Sequence, residues 1–418
     1  MPKLLLALLL LPCVCAPAFA ADWPHRMGPY RDNTTTEVVR PWKEPLKAVW
    51  TKPVGEAYAS PTVADGRVYI HHKLKDQNVE EVLCLEAATG KELWKFSYPH
   101  QPFESNVGNG PRGAPCIALG KLYTIGITGV LTCLNAETGA KLWQKNVLEE
   151  AGAPVMMFGV SASPLVDGNR LYIPIGAPGK AIAAFDTASG EPIWSSLDDP
   201  PTSVSPVLFQ PKVAGRGTVR HLIYGSTRGF YGVRPDDGTP LWQFPLTDLL
   251  PIGTLPPPTI VGGDLVVTGS MLTGAIAFRV EDEDGERLKT VEAWRNPNVT
   301  SYFSQGVAVG DDQLYIIDAQ LIPEAEIGLS CLDPKTGREL WRKDKIGTYQ
   351  LNLIRTGDNK LLMLDDVNGD VILLDPNPTE YRELCRSKVS KPTIINPAVA
   401  GGRLYVRDDA TLACYQLP

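Results

Sequence analysis

The 418-residue sequence has no cluster of basic residues and, beyond its first 20 positions, no apolar run long enough to span a membrane. Lys and Arg number 40 against 47 Asp and Glu, a formal net charge of −7, and the two signs are interspersed. We therefore expect no nucleic-acid partner, because such partners require a basic surface. A spanning helix needs about 20 consecutive apolar residues, so we expect no membrane span in the mature chain.

Signals for zinc are missing as well. No Cys-x-x-Cys pair and no typical Cys/His spacing occurs, and the five histidines are scattered. His71 and His72 are adjacent; strand alternation would direct them to opposite faces, and we interpret them as ordinary strand residues. Four of the six cysteines beyond residue 20 occupy equivalent places in a repeat: Cys84, Cys133, Cys331 and Cys414. We interpret them as small buried apolar residues, although an exported chain could also pair its cysteines.

The first 20 residues indicate a secretory signal peptide. Lys3 supplies a positive charge, Leu4 to Leu11 form a short apolar run, and Ala18-Phe19-Ala20 offers small residues at the cleavage positions. Cleavage before Ala21 is predicted. The mature chain is thus expected in the periplasm or the medium.

One motif recurs along the rest of the chain. It reads CLEAATGKELWK from Cys84, CLNAETGAKLWQK from Cys133 and CLDPKTGRELWRK from Cys331. Its aromatic anchors recur at intervals of 40 to 52 residues: Trp50, Trp94, Trp143, Trp194, Trp242, Trp294 and Trp341, with Tyr381 as a weaker eighth. The glycines of the accompanying turns are Gly90, Gly139, Gly190, Gly238 and Gly337. A period of this size indicates a solenoid, a propeller or an array.

Each repeat contains four strand signals and almost no helix signal. In the first repeat we predict strands at 59–63, 67–70, 82–85 and 92–95, with an Asp65-Gly66 hairpin turn. Four antiparallel strands per repeat are typical of a propeller blade. Eight second strands and eight fourth strands predict eight blades.

The ends of the chain predict how the ring closes. Trp50 lies in a fourth strand that precedes any first strand, and the final repeat, Asn396 to Leu417, has only three strands. We predict that residues 46–53 complete the last blade, because this removes two open sheet edges. The predicted fold is all-β: an eight-bladed propeller over residues 46–418, behind a lead-in segment at 21–45.

The repeated residues are interpreted as packing residues, with each Trp covering the seam between two blades and each Gly supplying a turn conformation that other residues resist. Departures from the repeat are the candidates for function. One is an insertion at Gln210 to Arg220. Another is the acidic hairpin tip Glu281 to Arg287, which we interpret as a solvated turn because its spacing does not match an EF-hand.

A third departure is ESNVGNGPRGAP, Glu104 to Pro115, a glycine-rich approach to an inner strand. Glycine there lets the backbone come close to the ring axis or to a ligand. Asn109 and Arg112 are therefore predicted ligand-binding residues near the channel mouth. Arg112 could bind an anion, or the segment could serve only as a structural loop.

The Ala-x-x-x-Thr-Gly-x-x-x-Trp signature, as at Ala136, Thr138, Gly139 and Trp143, resembles the repeat of the quinoprotein dehydrogenases, which use pyrroloquinoline quinone (PQQ). The chain is still more similar to the noncatalytic branch of that superfamily, the exported PQQ-like β-propeller proteins related to the outer-membrane assembly lipoprotein BamB. The lead-in DWPHRMGPYRDN, from Asp22 to Asn33, is also similar to theirs.

The resemblance carries further expectations about the site. The dehydrogenases hold PQQ over the ring axis against a disulfide between adjacent cysteines, with calcium bound by Glu, Asn and Asp, and an Asp as base. The mature part of this chain has no Cys-Cys pair. Gly357-Asp358-Asn359 superficially matches a catalytic-loop fragment but is predicted to be a hairpin turn. No catalytic, cofactor-binding or metal-binding residue is carried over, and no cofactor is expected.

Three functions remain open from the sequence. The leading hypothesis is a monomeric, exported, non-enzymatic propeller that binds an envelope protein or a small molecule as a scaffold. The second is a PQQ- and calcium-dependent dehydrogenase of alcohols or sugars. The third is a binder of carbohydrates or other small molecules at the channel mouth, where pockets tend to form in such rings.

Overall fold

The structure is a computed structural model that describes residues 21–200, 202–246, 256–270, 272–301, 304–319, 327–348 and 350–418. The predicted signal peptide lies outside the described residues. Eight sheets, each of four antiparallel strands joined in order, form eight blades. The all-β, eight-bladed prediction is confirmed.

The strands of each blade are given from the first to the fourth. Blade 1 comprises Thr62–Ala64, Arg67–Lys73, Val79–Glu86 and Glu92–Pro99, and blade 2 comprises Cys116–Ala118, Lys121–Ile125, Val130–Asn135 and Lys141–Asn146. Blade 3 comprises Leu165–Asp167, Arg170–Ala177, Lys180–Asp186 and Pro192–Ser196, and blade 4 comprises Val207–Phe209, His221–Ser226, Gly229–Val233 and Pro240–Pro245. Blade 5 comprises Thr259–Val261, Leu265–Ser270, Gly274–Asp282 and Leu288–Asn296, and blade 6 comprises Val307–Val309, Gln313–Asp318, Ile327–Leu332 and Glu339–Gly347. Blade 7 comprises Asn352–Arg355, Leu361–Leu364, Asp370–Leu374 and Glu383–Lys388, and blade 8 comprises Ala398–Ala400, Arg403–Arg407, Thr411–Gln416 and Ala48–Pro53.

Two further elements depart from this pattern. A short hairpin, Lys212–Val213 with Gly217–Thr218, forms within the insertion of blade 4. One short helix, Val147–Ala151, follows blade 2 and is capped by Asn146. Among the described residues, no helix has the length and apolarity that crossing a bilayer requires.

The first strands line the centre of the ring, where those of neighbouring blades contact each other, and the fourth strands form the outer rim. The N-terminal strand Ala48–Pro53 pairs antiparallel with Thr411–Gln416, with Trp50 opposite Cys414. The predicted closure of the last blade is therefore confirmed. The six cysteines in the described part of the chain are all free, and five of them are buried.

The seams between blades show what the recurring motif does physically. Trp94 Nε1 and the Tyr69 hydroxyl donate to the same acceptor, the carbonyl oxygen of Ala136 in the next blade, at 3.2 and 3.1 Å. The same pairing joins Trp50 and Tyr405 to Ala87, Trp143 and Tyr123 to Thr187, and Trp194 and Tyr172 to Pro235. These four seams thus have an aromatic pair on one blade and a turn carbonyl on the other, whereas Trp242 Nε1 donates to His221 Nδ1 of its own blade.

The turn glycine makes room for the indole. Gly139 has φ of 72°, a left-handed conformation, and a Cβ on it would lie 2.5 Å from the Trp94 ring. The other motif glycines have the same relation to the preceding blade's tryptophan, each with positive φ and a Cβ position closer than 3.0 Å: Gly90, Gly190, Gly238 and Gly337. Any larger residue would both strain the turn and push the indole out of the seam.

The eighth anchor differs from the expectation. In blade 7, Cys385 lies opposite Leu373, the register position that tryptophan holds in other blades, so Tyr381 is not the anchor. Tyr381 packs against Trp341 instead, with ring centroids 6.3 Å apart. The lead-in supplies the missing indole: Trp42 Nε1 donates to Arg386 O at 3.2 Å, and the Trp42 backbone N–H donates to Cys385 Sγ at 3.4 Å.

Candidate functional site

Each blade contributes to two faces of the ring. The turn face carries the hairpins between first and second strands and between third and fourth strands. The loop face carries the hairpins between second and third strands and the connections from each fourth strand to the next blade. Two of these connections, residues 100–115 and 147–164, lie beside one another around blades 1 to 3.

Arg112 joins these two loops. Its Nε donates to Phe158 O at 2.6 Å, and its Nη2 donates to Val107 O and Gly108 O at 3.1 and 3.0 Å. Its guanidinium also lies over the Tyr58 ring, 4.8 Å from the centroid. Arg112 therefore acts as a clamp between loops, and a role in anion binding stays a prediction.

Asn109 extends the same connection to the loop that enters blade 1. Its Oδ1 accepts from Ser105 N at 2.8 Å, and its backbone N–H donates to Glu56 Oε1 at 2.6 Å. Gly110 lies directly against the backbone of Glu56 and Ala57, where no side chain would fit. The glycine-rich segment thus permits a close approach of backbone to backbone, and ligand binding by Asn109 likewise stays a prediction.

The clamped loops present apolar side chains to solvent. Val107, Val155 and Met157 are 43%, 41% and 70% exposed, and we call these three residues the loop patch. Its flanks are half-buried apolar residues: Phe103, Met156 and Phe158. The exposed charges of the same two loops are acidic: Glu104, Glu149 and Glu150. These exposed apolar side chains on neighbouring loops make the loop patch a candidate interaction site.

The lead-in segment occupies the centre of the ring. Trp23 forms a bridge with Val63 of blade 1, and Pro24 O accepts from Ile117 N of blade 2. Arg31 donates to the carbonyls of Pro164 and Pro206, ahead of blades 3 and 4. The chain then reaches blade 7, where Thr34 bridges to Arg355. Residues 21–45 were expected to precede the ring, and residues 23–35 of them cross its axis.

Blade 1 holds two buried acid–histidine pairs that the sequence interpretation missed. Glu80 Oε2 accepts from the Tyr98 hydroxyl at 2.6 Å and lies 3.4 Å from His71 Nε2. Glu80 Oε1 accepts from Ile127 N of blade 2 at 2.8 Å, so this pair faces blade 2.

The second pair faces blade 8. His72 Nε2 lies 3.2 Å from Glu81 Oε1, and His72 Nδ1 accepts from Gly55 N at 3.0 Å. Burial and the nearby Arg407 charge lower the pKa of His72 although Glu81 opposes them. The sequence contains a His-His and a Glu-Glu doublet on two strands that pair with each other. The doublets predict acid–histidine pairs only when the register between these strands is known.

The residues at the centre do not fit the calcium and disulfide arrangement of the dehydrogenases. None of the six described cysteines is adjacent to another. In the described ranges, no group of three or more His, Cys, Asp or Glu side chains could hold a metal ion. Asp358 accepts from Thr356 Oγ1 at 2.6 Å inside the turn between two strands of blade 7, so the predicted hairpin turn is confirmed.

A groove of 480 Å³ lies elsewhere, in the seam between blades 6 and 7. Its lining includes Lys343, Met363, Tyr381 and Glu383. Its position in a seam differs from the channel mouth that was expected for a small-molecule site.

Comparisons with known proteins agree with this architecture. The family model described as outer membrane protein assembly factor BamB matches residues 78–343 and 324–416. The BamB of Shewanella oneidensis is 22% identical over 311 residues, 70% of either chain.

Two solved structures share the fold. BamB from Moraxella catarrhalis has a TM-score of 0.60 at 15% identity, over 89% of this chain and 98% of that chain. A quinohemoprotein alcohol dehydrogenase, ADHIIG from Pseudomonas putida HK5, also has a TM-score of 0.60, at 14% identity, over 95% of this chain and 80% of that one. Such identities show the fold alone, but the family model covers most of the chain: this protein belongs to the BamB family of β-propellers.

Proposed function

We propose that this protein is a noncatalytic, exported propeller that binds another protein of the cell envelope through the loop patch. The observation that carries the proposal is the exposure of Val107, Val155 and Met157 on loops that Arg112 holds in place. Large apolar patches exposed on soluble proteins often mark interaction sites. An exported location is supported by the apolar run and small residues of positions 1–20 and by the name of the matching family and of its Shewanella oneidensis relative, outer membrane protein assembly factor BamB.

The physical design of the patch suits protein binding. Loops that are already ordered lose less conformational entropy when a partner docks. Exposed methionine adapts its shape to an apolar partner surface. The acidic residues at the border, such as Glu104 and Glu149, would favour a partner with basic residues around an apolar centre.

The patch can be tested by substituting its most exposed residue. Met157→Glu is expected to weaken capture of the partner from an envelope extract at least tenfold, because a charge would be desolvated in the interface. Leu119→Glu is the matched control: Leu119 is 66% exposed but lies on the turn face. Recovery of the same proteins, in the same amounts, by wild type and Met157→Glu would refute the role of the patch.

The second candidate is a PQQ- and calcium-dependent dehydrogenase, and the likeness to ADHIIG in fold is what favours it. The residues at the centre do not fit that cofactor and its calcium, so we derive no reaction step. Protein incubated with PQQ and calcium is expected to give no alcohol-dependent reduction of an artificial dye. Sustained turnover above a protein-free blank would overturn the noncatalytic proposal.

A further inference from the structure

The lead-in carries two arginines to the centre of the ring. Arg31 is 3% exposed. Its Nη1 donates to Pro206 O at 3.2 Å, its Nη2 donates to Pro164 O, and its own carbonyl accepts from Gln305 Nε2 at 3.3 Å. These partners precede the first strands of blades 3, 4 and 6, so Arg31 lies on the axis. Its buried Nε has no hydrogen-bond partner among the described residues.

Arg26 is only partly accessible to solvent and lies close enough to Arg31 to feel its charge. Burial, and then the charge of Arg31, lower the pKa of Arg26 to about 10. Burial also lowers the pKa of Arg31. Both groups nevertheless stay protonated at neutral pH, so two positive charges share the centre of the ring.

No acidic side chain balances these charges within the part of the chain that the structure describes. Neither arginine is within ion-pair distance of a described carboxylate, in contrast to Arg216, Arg228 and Arg386 on the outside. The acids of the lead-in are engaged locally: Asp32 Oδ1 accepts from Thr34 N at 3.0 Å, and Asp22 Oδ1 accepts from Asp65 N at 3.3 Å.

Two other titratable groups close to Arg31, His25 and Cys116, are neutral. Burial, followed by the charge of Arg31, lowers the pKa of His25 to about 3, so its imidazole carries no charge at neutral pH. Burial raises the pKa of the Cys116 thiol even though Arg31 opposes the shift, so Cys116 is not a counter-anion. The cluster of Arg26, Arg31, His25 and Cys116 is therefore purely cationic.

An unbalanced buried charge is costly. Removing one charged group from water costs several kcal/mol unless a counter-charge and hydrogen bonds replace the lost hydration. Two neighbouring guanidinium groups add their mutual repulsion to that cost. Guanidinium N–H groups match pairs of oxygen atoms on carboxylates and phosphates particularly well.

We propose that Arg26 and Arg31 form an anion-binding site in the central channel, and that its ligand is a small oxyanion: phosphate, sulfate or a carboxylate. The anion would accept from the free Nε of Arg31 and from the Arg26 guanidinium. It would neutralise the centre of the ring and tie the lead-in to the blades around it. This site is separate from the loop patch and does not depend on the proposed function.

The test uses the whole protein, dialysed into a buffer whose only anion is a dilute bulky sulfonate. Sodium phosphate, sodium sulfate and sodium citrate are titrated separately against sodium chloride at equal ionic strength, and the melting temperature is recorded. At least one oxyanion is expected to raise the Tm until the effect saturates, and chloride is expected to give a smaller rise. The reason is that a ligand which binds only the folded state stabilises that state. The three arms distinguish the chemical source of the oxyanion.

Arg26→Gln is the decisive variant. It is expected to weaken the apparent affinity for the oxyanion at least tenfold and, in the anion-poor buffer, to melt at a higher temperature than wild type, because it removes the repulsion between two guanidinium groups. Lys95→Gln is the control, since Lys95 is exposed on the outer rim; it should keep the full response. Arg31→Lys keeps the positive charge but lacks the bidentate N–H pairs of a guanidinium. It is expected to weaken the apparent affinity for the oxyanion clearly and to lower the Tm only slightly.

Either of two results would overturn the proposal. The first is a phosphate, sulfate or citrate response no larger than that of chloride, which would mean that water alone solvates the two guanidinium groups. The second is an equal response in wild type and Arg26→Gln, which would place the oxyanion elsewhere. If Arg26→Gln fails to fold, Arg26→Lys gives the comparison instead, because an ammonium keeps the charge but lacks the bidentate fork of a guanidinium.

Discussion

Replacing Trp50 by alanine is expected to lower the free energy of unfolding by about 3–5 kcal/mol. Trp50 is 9% exposed and lies in the N-terminal strand that closes the ring. Its Nε1 donates to Ala87 O at 3.0 Å, and its ring packs against Tyr405 and over Gly90. The substitution would leave a cavity in the seam between blades 8 and 1 and would remove the hydrogen bond across it.

Chemical denaturation followed by intrinsic fluorescence measures this loss. Val49→Ala is the matched control, because Val49 is the preceding residue on the same strand but is 47% exposed and points away from the seam. That variant should change stability by no more than about 0.5 kcal/mol. Comparable losses in both variants would show that the strand itself, and not the indole in the seam, carries the stabilisation.

The spacing of the motif sufficed to predict the ring. A tryptophan and a glycine separated by a fixed distance can meet only between neighbouring repeats, and the structure pairs Trp94 with Gly139 in this way. The missing fourth strand of the last repeat likewise required a partner, and only the segment around Trp50 was unassigned. These inferences rest on periodicity and on the cost of open sheet edges, both of which are visible in a sequence.

The centre of the ring could not be predicted in the same way. Trp42 and Arg31 belong to a non-repeating segment, so no internal comparison reveals that one covers a seam and the other lies on the axis. Their backbone also departs from regular structure, with positive φ at Met27, Arg31 and Asn33. Contacts of this kind join residues more than a hundred positions apart, and periodicity carries no information about them.

The candidate site was predicted in part. The glycine-rich segment with Asn109 and Arg112 was recognised as a departure from the repeat, and the structure places both residues on the loop face. Arg112 donates to loop carbonyls, which agrees with the structural-loop alternative, and ligand binding by Asn109 and Arg112 stays a prediction. The loop patch depends on Met157 from the next connection, and only the folded ring shows that the two loops are neighbours.

The Glu80→Ala substitution is expected to lower the free energy of unfolding by about 3–5 kcal/mol, as does the loss of one partner from other buried polar pairs. Glu80 is fully buried and connects two blades by accepting from Tyr98 and from Ile127 N. Without it, the Ile127 N–H would lose its partner, and the Tyr98 hydroxyl and the His71 imidazole would keep only each other, at 2.9 Å, in a region that water does not reach. Glu92→Ala is the control, because Glu92 is exposed and pairs only loosely with Lys52, at 3.6 Å; its loss should stay below about 1 kcal/mol.

The dependence of this effect on pH separates the charge of Glu80 from its packing. Burial raises the pKa of this carboxyl, but the hydrogen bond and charge of His71, with the Ile127 N–H and the Tyr98 hydroxyl, outweigh burial and place it below the ordinary value of 4.5. A carboxyl with a lowered pKa stabilises the fold fully above the unfolded value and loses that contribution as the pH falls through the folded value. The stability gap between wild type and Glu80→Ala should therefore be fully present at pH 6 and narrow below about pH 4.5. A gap that stayed unchanged down to pH 3.5 would mean that Glu80 stabilises the seam by filling space, and that its charge contributes nothing to joining blades 1 and 2.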